Sequence, residues 1–194
     1  MFYDRGYVAE RAMKNIPMKR EGFRALLNLM AKIDPDKASR WCADLGKDSQ
    51  PKELRQVASE VSGKLTDAAS ADLLLKLLKD SNAMVRLEAA RSLGIRKAES
   101  AAATLAKLAT DTSENAGVRV QAAWALARLG NDKGTEVLQQ IADRGPDFAQ
   151  SQARSSLDAI AAGRSTNTRQ AQSDPNRFEV RYLDVGDGCF VRVE

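Results

Sequence analysis

The sequence predicts an all-α fold: an α-solenoid of about five stacked helix pairs over residues 1–162, a flexible linker over 163–176 and a short β-hairpin over 177–194. Three observations predict the solenoid. One motif recurs at a regular interval along the chain, apolar residues fall at helical spacing within each unit, and only 5% of the residues are aromatic. One helix pair cannot bury its own apolar stripe, whereas stacked pairs share one continuous core.

The repeat is clearest where two segments align. "AMVRLEAARSLG" from Ala83 and "AGVRVQAAWALA" from Ala116 share Val-Arg, Ala-Ala and Leu in the same register. Within each segment, apolar residues stand at i, i+4 and i+8, which is typical of one buried face of a helix. Related positions recur at a similar interval further out in both directions, so five units cover residues 5–162, each with two helices.

Helix boundaries are marked by proline, glycine and short polar residues. Proline suits the first turn, Asp or Ser can accept a hydrogen bond from the first free N–H groups, and glycine favours a stop. The predicted starts are Pro35, Pro51, Asp67, Ser113, Asp132 and Pro146, and the predicted stops are Gly94, Gly130, Gly145 and Gly163.

These segments resemble a known repeat family. "DSNAMVRLEAARSLG" and "DTSENAGVRVQAAWALARLG" are similar to HEAT-like repeats of the phycobilin-lyase type, specifically over residues 48–162 and more weakly over 5–47. The resemblance implies an armadillo-like solenoid whose concave face, lined by one helix of each pair, binds a protein or peptide. The leading hypothesis is a non-catalytic protein-binding scaffold or adaptor.

Four recurring arginines are candidate partner-binding residues: Arg24, Arg55, Arg86 and Arg119. The alternative, which we prefer, is structural. Asp48, Asp80 and Asp111 precede three of them by six to eight residues, and a carboxylate between helices can take a guanidinium in bidentate geometry. Arg24 has no matching Asp and is predicted to be free.

Two tryptophans complete the candidate partner-binding set. Trp124 lies between Ala123 and Ala125, beside the predicted core stripe, and Trp41 follows Arg40. Either could be a stacking platform for nucleic acid, but packing between repeats is the preferred interpretation for a large aromatic in an Ala-rich helix. With a net charge of only +4, weak nucleic-acid binding is kept as a second alternative.

The chain contains no histidine. That removes Ser–His and Cys–His nucleophiles and imidazole metal sites, and it sets the chain apart from HEAT-repeat hydroxylases, whose iron site needs paired His-Glu motifs. Glu88 and Glu136 are expected to face solvent. We therefore predict no enzyme activity for this chain and no catalytic residue, cofactor or metal.

Cysteine usage and hydropathy bear on location. Cys42 and Cys189 fall in different predicted elements and suggest no disulfide framework, which favours a reducing compartment. No stretch of about eighteen apolar residues occurs. We expect a cytoplasmic protein without a membrane partner.

The C-terminal segment differs from the rest. Apolar residues alternate with polar ones around a Gly-containing turn, which predicts a hairpin. Its "YLDVGDGC" resembles the opening hairpin of competence-type metallo-β-lactamase-fold hydrolases, whose metal ligands lie further on, beyond anything in this chain. Two readings stay open: the solenoid is the regulatory or substrate-presenting arm of a longer metal-dependent hydrolase, or the hairpin docks in cis or adds a strand to a partner. Candidate strand-addition residues are Phe178, Val180, Tyr182, Val191 and Val193.

Overall fold

The computed structural model describes the backbone of residues 20–173, 181–184 and 189–192, and the side chains of residues 21–162. Within these residues the chain forms nine α-helices, one short 3₁₀ helix at Glu99–Ala101 and two strands. The helices are α1 (Arg20–Ile33), α2 (Pro35–Leu45), α3 (Lys52–Ser62), α4 (Ala68–Leu77), α5 (Ala83–Arg96), α6 (Ala102–Thr110), α7 (Ala116–Arg128), α8 (Asp132–Arg144) and α9 (Asp147–Ser173). The chain divides into two units between Leu157 and Asp158.

The helices of the first unit form two layers. Helices two apart in sequence contact each other, so α1, α3, α5 and α7 follow one another in an odd layer, while α2 contacts α4 and α6 contacts α8 in an even layer. Neighbouring helices in sequence connect the layers. This arrangement agrees with the predicted stack of helix pairs. The first helix expected in the first pair lies outside the described residues.

Small apolar residues fill the interface of the odd layer. Val85, Ala89 and Leu93 of α5 are fully buried, as are the equivalent residues of the next repeat, Val118, Ala122 and Leu126 of α7. Ala149 and Ala153 continue this pattern in α9. The predicted core spacing of i, i+4 and i+8 is confirmed in α5 and α7, where all three positions are fully buried, and in α9 the third position, Leu157, is half-buried.

Helix N-termini are close to where the sequence predicts them. Asp67 caps α4 as expected, with its carboxylate accepting the backbone N–H three residues on. The predicted caps Ser113 and Asp132 are displaced: Asn115 and Asn131 occupy these positions, and each accepts an N–H two residues on. An amide oxygen does this as well as a carboxylate, so a neighbouring Asp or Ser is a weak guide.

Gly94 does not end a helix, contrary to prediction. It lies inside α5, which continues to Arg96 and ends at Lys97 in the left-handed conformation, φ 53°. A Cβ at Gly94 would be 2.8 Å from the Cα of Ala125 and 2.9 Å from a ring carbon of Trp124. The glycine is needed there for the close approach of α5 and α7. Gly130, with φ +79°, does follow the end of α7.

The C-terminal unit contains the end of α9 and the two strands. The backbone of α9 stays helical through Gly163 to Ser173, so no helix end is found at Gly163, and helix occupies most of the segment where we predict a linker. One glycine costs a helix only about 1 kcal/mol relative to alanine, so glycine alone is a weak stop signal. The domain and linker boundaries remain predictions.

The strands β1 (Arg181–Asp184) and β2 (Cys189–Arg192) pair antiparallel, with Tyr182 opposite Val191. The turn between them lies outside the described residues, as do Phe178, Val180 and Val193. A docked or strand-adding hairpin therefore remains a prediction.

We predict that Gly94→Ala lowers the free energy of unfolding by about 1–3 kcal/mol, because overpacking against the α7 backbone outweighs the better helix propensity of alanine. Urea unfolding followed by circular dichroism measures this. Gly117→Ala is the matched control in α7. Its Cβ would meet nothing closer than 3.2 Å, from the Asn115 side chain, so it should change stability little. Equal losses for both variants would refute the close-approach role of Gly94.

Candidate functional site

Two rows of repeat-equivalent side chains lie on the odd layer. Each row contains four residues at equivalent positions of successive repeats, one each from the α1, α3, α5 and α7 repeats; the α3 residue of the second row lies in the turn after that helix. The second row lies one helical turn after the first. All eight are exposed or half-buried. They define what we call the odd-helix face: Leu29, Glu60, Arg91 and Trp124 in the first row, and Ile33, Lys64, Ile95 and Arg128 in the second.

Large apolar side chains are exposed only on odd helices among the described residues. Leu29 is 53% exposed, Ile33 68% and Ile95 47%. Met84 and Phe148 are also exposed, on the first turns of α5 and α9. No even helix contributes one, so the exposed apolar surface of the described helices is restricted to one layer.

A network of charged side chains crosses the odd-helix face between α1 and α3. Arg24 Nε lies 2.8 Å from Glu60 Oε2, close enough for an ion pair but without hydrogen-bond geometry. Lys64 Nζ donates to Asn28 Oδ1 at 2.7 Å and contacts Glu60 at 3.4 Å. The network therefore contains both signs of charge. The prediction that Arg24 is free is wrong, since Glu60 from the next odd helix takes the place of the missing Asp.

Glu88 is buried, so the expectation that it faces solvent is wrong. It is 9% exposed, and Arg91 Nη1 lies 3.4 Å from its Oε1. Burial, the largest influence, raises the pKa of Glu88; the charge of Arg91 lowers it and that of Glu60 raises it. The repeat holds the missed signal: the equivalent residue of the preceding repeat is Val57, a fully buried core residue. Glu136 is exposed, as predicted.

Two of the recurring arginines join one repeat to the next. Arg55 donates from Nε and Nη2 to the two carboxylate oxygens of Asp80, at 2.7 and 2.8 Å, and both side chains are almost fully buried. Arg86 binds Glu114 in the same way, at 2.8 and 2.5 Å. In each case the third nitrogen, Nη1, donates to a carbonyl of the preceding loop: Gln50 for Arg55 and Asp80 for Arg86.

The partner in each pair is the acid before the following odd helix, not the acid six to eight residues upstream of the arginine. The loop before a helix faces the neighbouring repeat, so its carboxylate reaches back to the previous arginine. Burial raises the pKa of Asp80, but hydrogen bonds from Arg55 and the backbone N–H of Asn82 outweigh this effect and lower the pKa overall.

Arg119 is the exception. Its Nε donates to the carbonyl of Ala109 at 3.3 Å, and the structure gives it no ion pair with any described carboxylate. Asp111, the upstream acid, is exposed and accepts instead from the backbone N–H and hydroxyl of Ser113, at 2.9 and 2.6 Å.

The tryptophans occupy different layers. Trp124 lies on the odd-helix face, with its ring edge against Gly94 and the guanidinium carbon of Arg128 5.1 Å from its ring centroid. This agrees with packing between repeats while leaving part of the ring exposed. Trp41 is half-buried on α2 in the even layer. The structure therefore does not bring the two tryptophans onto one surface.

Two further arginines that contact the preceding repeat, Arg96 and Arg128, were missed at the sequence level. Arg96 donates to the carbonyls of Ser62 and Asp67, at 2.9 and 3.0 Å, and to that of Leu65. Arg128 donates to Gly94 O at 3.2 Å. Each caps the C-terminus of the preceding odd helix, where free carbonyls favour a cation. Arg96 lies one residue beyond Ile95, the repeat equivalent of Arg128, so the sequence repeat does not align the two arginines and gave no signal for them.

Two further features of the described residues concern a buried thiol and the arrangement of possible metal ligands. Cys42 is buried, and burial raises its pKa to about 11, so its thiol stays protonated at neutral pH. Within the described part of the chain, no group of three or more His, Cys, Asp or Glu side chains is arranged to hold a metal ion. No described helix is long and apolar enough to cross a membrane.

Comparison with known proteins identifies the class of repeat. A family model described as HEAT repeats matches residues 40–115 and 74–158, which together cover more than half of the chain. The chain belongs to the HEAT-repeat family. None of the curated proteins matches it.

One similar solved structure is human deoxyhypusine hydroxylase in complex with glycerol. It is 25% identical, covers 63% of this chain with a TM-score of 0.51, and is itself covered over 43% of its length. The chain thus spans less than half of that protein. The similarity supports the helix-pair fold. Residues 177–194 lie outside the family match, and their resemblance to metallo-β-lactamase-fold hydrolases stays a prediction.

We predict that Asp80→Asn lowers the free energy of unfolding by about 3–5 kcal/mol, because it leaves the Arg55 guanidinium buried without its counter-charge. Urea unfolding measures the loss. Asp48→Asn is the matched control: Asp48 precedes α3 as Asp80 precedes α5, but its side chain is 84% exposed and 4.0 Å from Lys76. It should change stability by less than about 0.5 kcal/mol. Similar losses in the two variants would contradict the assigned pair.

We also predict that Glu88→Gln removes a component of the pH dependence of stability. The folded state binds the Glu88 proton more tightly than the unfolded state, so this residue's contribution is greatest below the ordinary carboxyl pKa of 4.5 and declines as pH rises through the raised value. The free energy of unfolding of the wild type minus that of the variant, measured by urea unfolding from pH 4 to 8, should therefore fall as the pH rises. A difference that does not change with pH for Glu88→Gln would rule the effect out.

Proposed function

We propose that this HEAT-repeat unit is a non-catalytic scaffold that binds a protein or peptide partner on the odd-helix face. The observation that carries the proposal is that three of the five large exposed apolar side chains of the described residues, Leu29, Ile33 and Ile95, lie on this face. Exposed apolar surface gathered on one face is characteristic of an interaction site.

The make-up of the face suits a protein partner. Ile33 and Ile95 offer apolar contact, and the partly exposed Trp124 beneath Arg128 combines an aromatic ring with a cation, two residue types that are enriched at the energetic centres of protein interfaces. The rigid helical backbone underneath holds these side chains in fixed positions before binding, which lowers the entropy cost of association.

The charge pattern favours a protein over nucleic acid. Glu60 lies among Arg24 and Lys64, and the buried Glu88 lies beside Arg91. A phosphate backbone selects a continuous row of cations with few acids between them. Mixed signs instead complement a polar rim of either charge on a protein partner.

Photo-cross-linking in lysate tests the proposal. Benzoylphenylalanine in place of Ile95 should form defined protein adducts, identifiable by mass spectrometry, and Arg91→Glu in the same chain should reduce the yield. The same probe in place of Lys133, exposed on α8 of the even layer, is the control and should give no defined adduct. Adducts of equal yield from both layers, or none from residue 95, would reject the odd-helix face as the binding surface.

A further inference from the structure

The series of arginine–carboxylate pairs stops at the last joint of the odd layer. Arg55 and Arg86 each hold a carboxylate with Nε and Nη2. Arg119 stands at the same position in α7, yet no carboxylate of the described residues pairs with it. Arg119 is half-buried, and its terminal nitrogens are not among the fully buried polar atoms that lack a partner.

The reason lies in the residues before α9. Asp80 lies two residues before the N-cap of α5, and Glu114 lies one residue before the N-cap of α7. The matching positions before Pro146, the residue preceding α9, are Arg144 and Gly145. A cation and a residue without a side chain therefore replace the acid. Arg144 follows Arg119 at the same separation in sequence as Asp80 follows Arg55, and Asp147 follows it at the same separation as Glu114 follows Arg86.

Two other acids have to be considered as partners of Arg119, and neither forms a bidentate pair with it. Asp111 interacts with Arg119 only at longer range, and its oxygens are engaged by Ser113. Asp147 is the first residue of α9, part of the helix rather than of the loop before it, and makes no ion pair with Arg119. Arg144, the last residue of α8, is exposed and adds a positive charge next to the loop before α9.

We propose that Arg119 binds the carboxylate of an Asp or Glu side chain from a partner peptide, in the bidentate geometry that Arg55 and Arg86 use within the chain. A guanidinium fork selects a carboxylate by both charge and shape. Phe148, 58% exposed on the first turn of α9, supplies an apolar surface on the helix that begins at this loop. The expected ligand is thus an acidic residue flanked by apolar ones. This site is separate from the odd-helix face, so it stands or fails independently of the scaffold proposal.

Peptide binding to the full chain tests the site. The probe is fluorescein-labelled Ala-Leu-Glu-Leu-Ala with an amidated C-terminus, and its Gln analogue is the reference. We expect the Glu peptide to bind about tenfold more tightly in fluorescence polarisation, the effect of one well-placed charge-assisted contact. Arg119→Gln should remove the preference. Lys133→Gln, which removes an exposed cation from α8, should keep it.

Arg144→Asp provides a sharper test because it leaves Arg119 in place. An Asp at this position should pair with Arg119 as Asp80 pairs with Arg55, which would raise the thermal midpoint and abolish the preference for the Glu peptide. Equal binding of the Glu and Gln peptides, or an unchanged preference in Arg144→Asp, would overturn the assignment. The Gln peptide should also be measured with a free C-terminus. If it binds in that form but not when amidated, Arg119 recognises a C-terminal carboxylate, and the assignment to an Asp or Glu side chain is overturned.

Discussion

The buried pair of Arg55 and Asp80 is the contact on which the order of the repeats depends. Each joint of a solenoid is built from apolar surface, and apolar contact by itself is tolerant of sliding and rotation. A guanidinium that must meet both oxygens of one carboxylate, while its third nitrogen donates to a carbonyl, admits one relative position. Burial makes that requirement strict, because an unpaired charge inside the joint is costly.

Close helix contact is what makes such a joint possible. Gly94 lets α5 lie against α7, and at Gly134 an added Cβ would be 2.4 Å from the backbone nitrogen of Ala127, so α8 meets α7 just as closely. Buried alanines line much of the same seam. With the backbones this near, Arg96 and Arg128 can reach the free carbonyls of the helix before them. Small side chains between the helices thus allow these arginines to donate to the carbonyls of the preceding helix.

Much of this could be predicted from the sequence, and what could not has identifiable causes. The period of the repeat located the helix pairs because the same core positions recur in each. The partner of each arginine was missed because the arginine pairs with the acid of the next repeat, whereas the acid nearest to it in sequence lies upstream. Gly94 was taken for a helix stop because glycine has two roles, and only the distance to Ala125 distinguishes them. Glu88 was misplaced because a carboxylate normally indicates solvent, although its counterpart Val57 indicated the core.

The uneven distribution of the ion pairs has a consequence for cooperativity. In a linear array each repeat is held only by its neighbours, so the strength of successive joints determines where unfolding starts. The joints from α3 to α5 and from α5 to α7 carry a bidentate pair, whereas Arg119, at the joint from α7 to α9, has no carboxylate partner among the described residues. Among these three joints, the one toward α9 should therefore open more easily than the two at the centre, and a bound acidic segment would stabilise it.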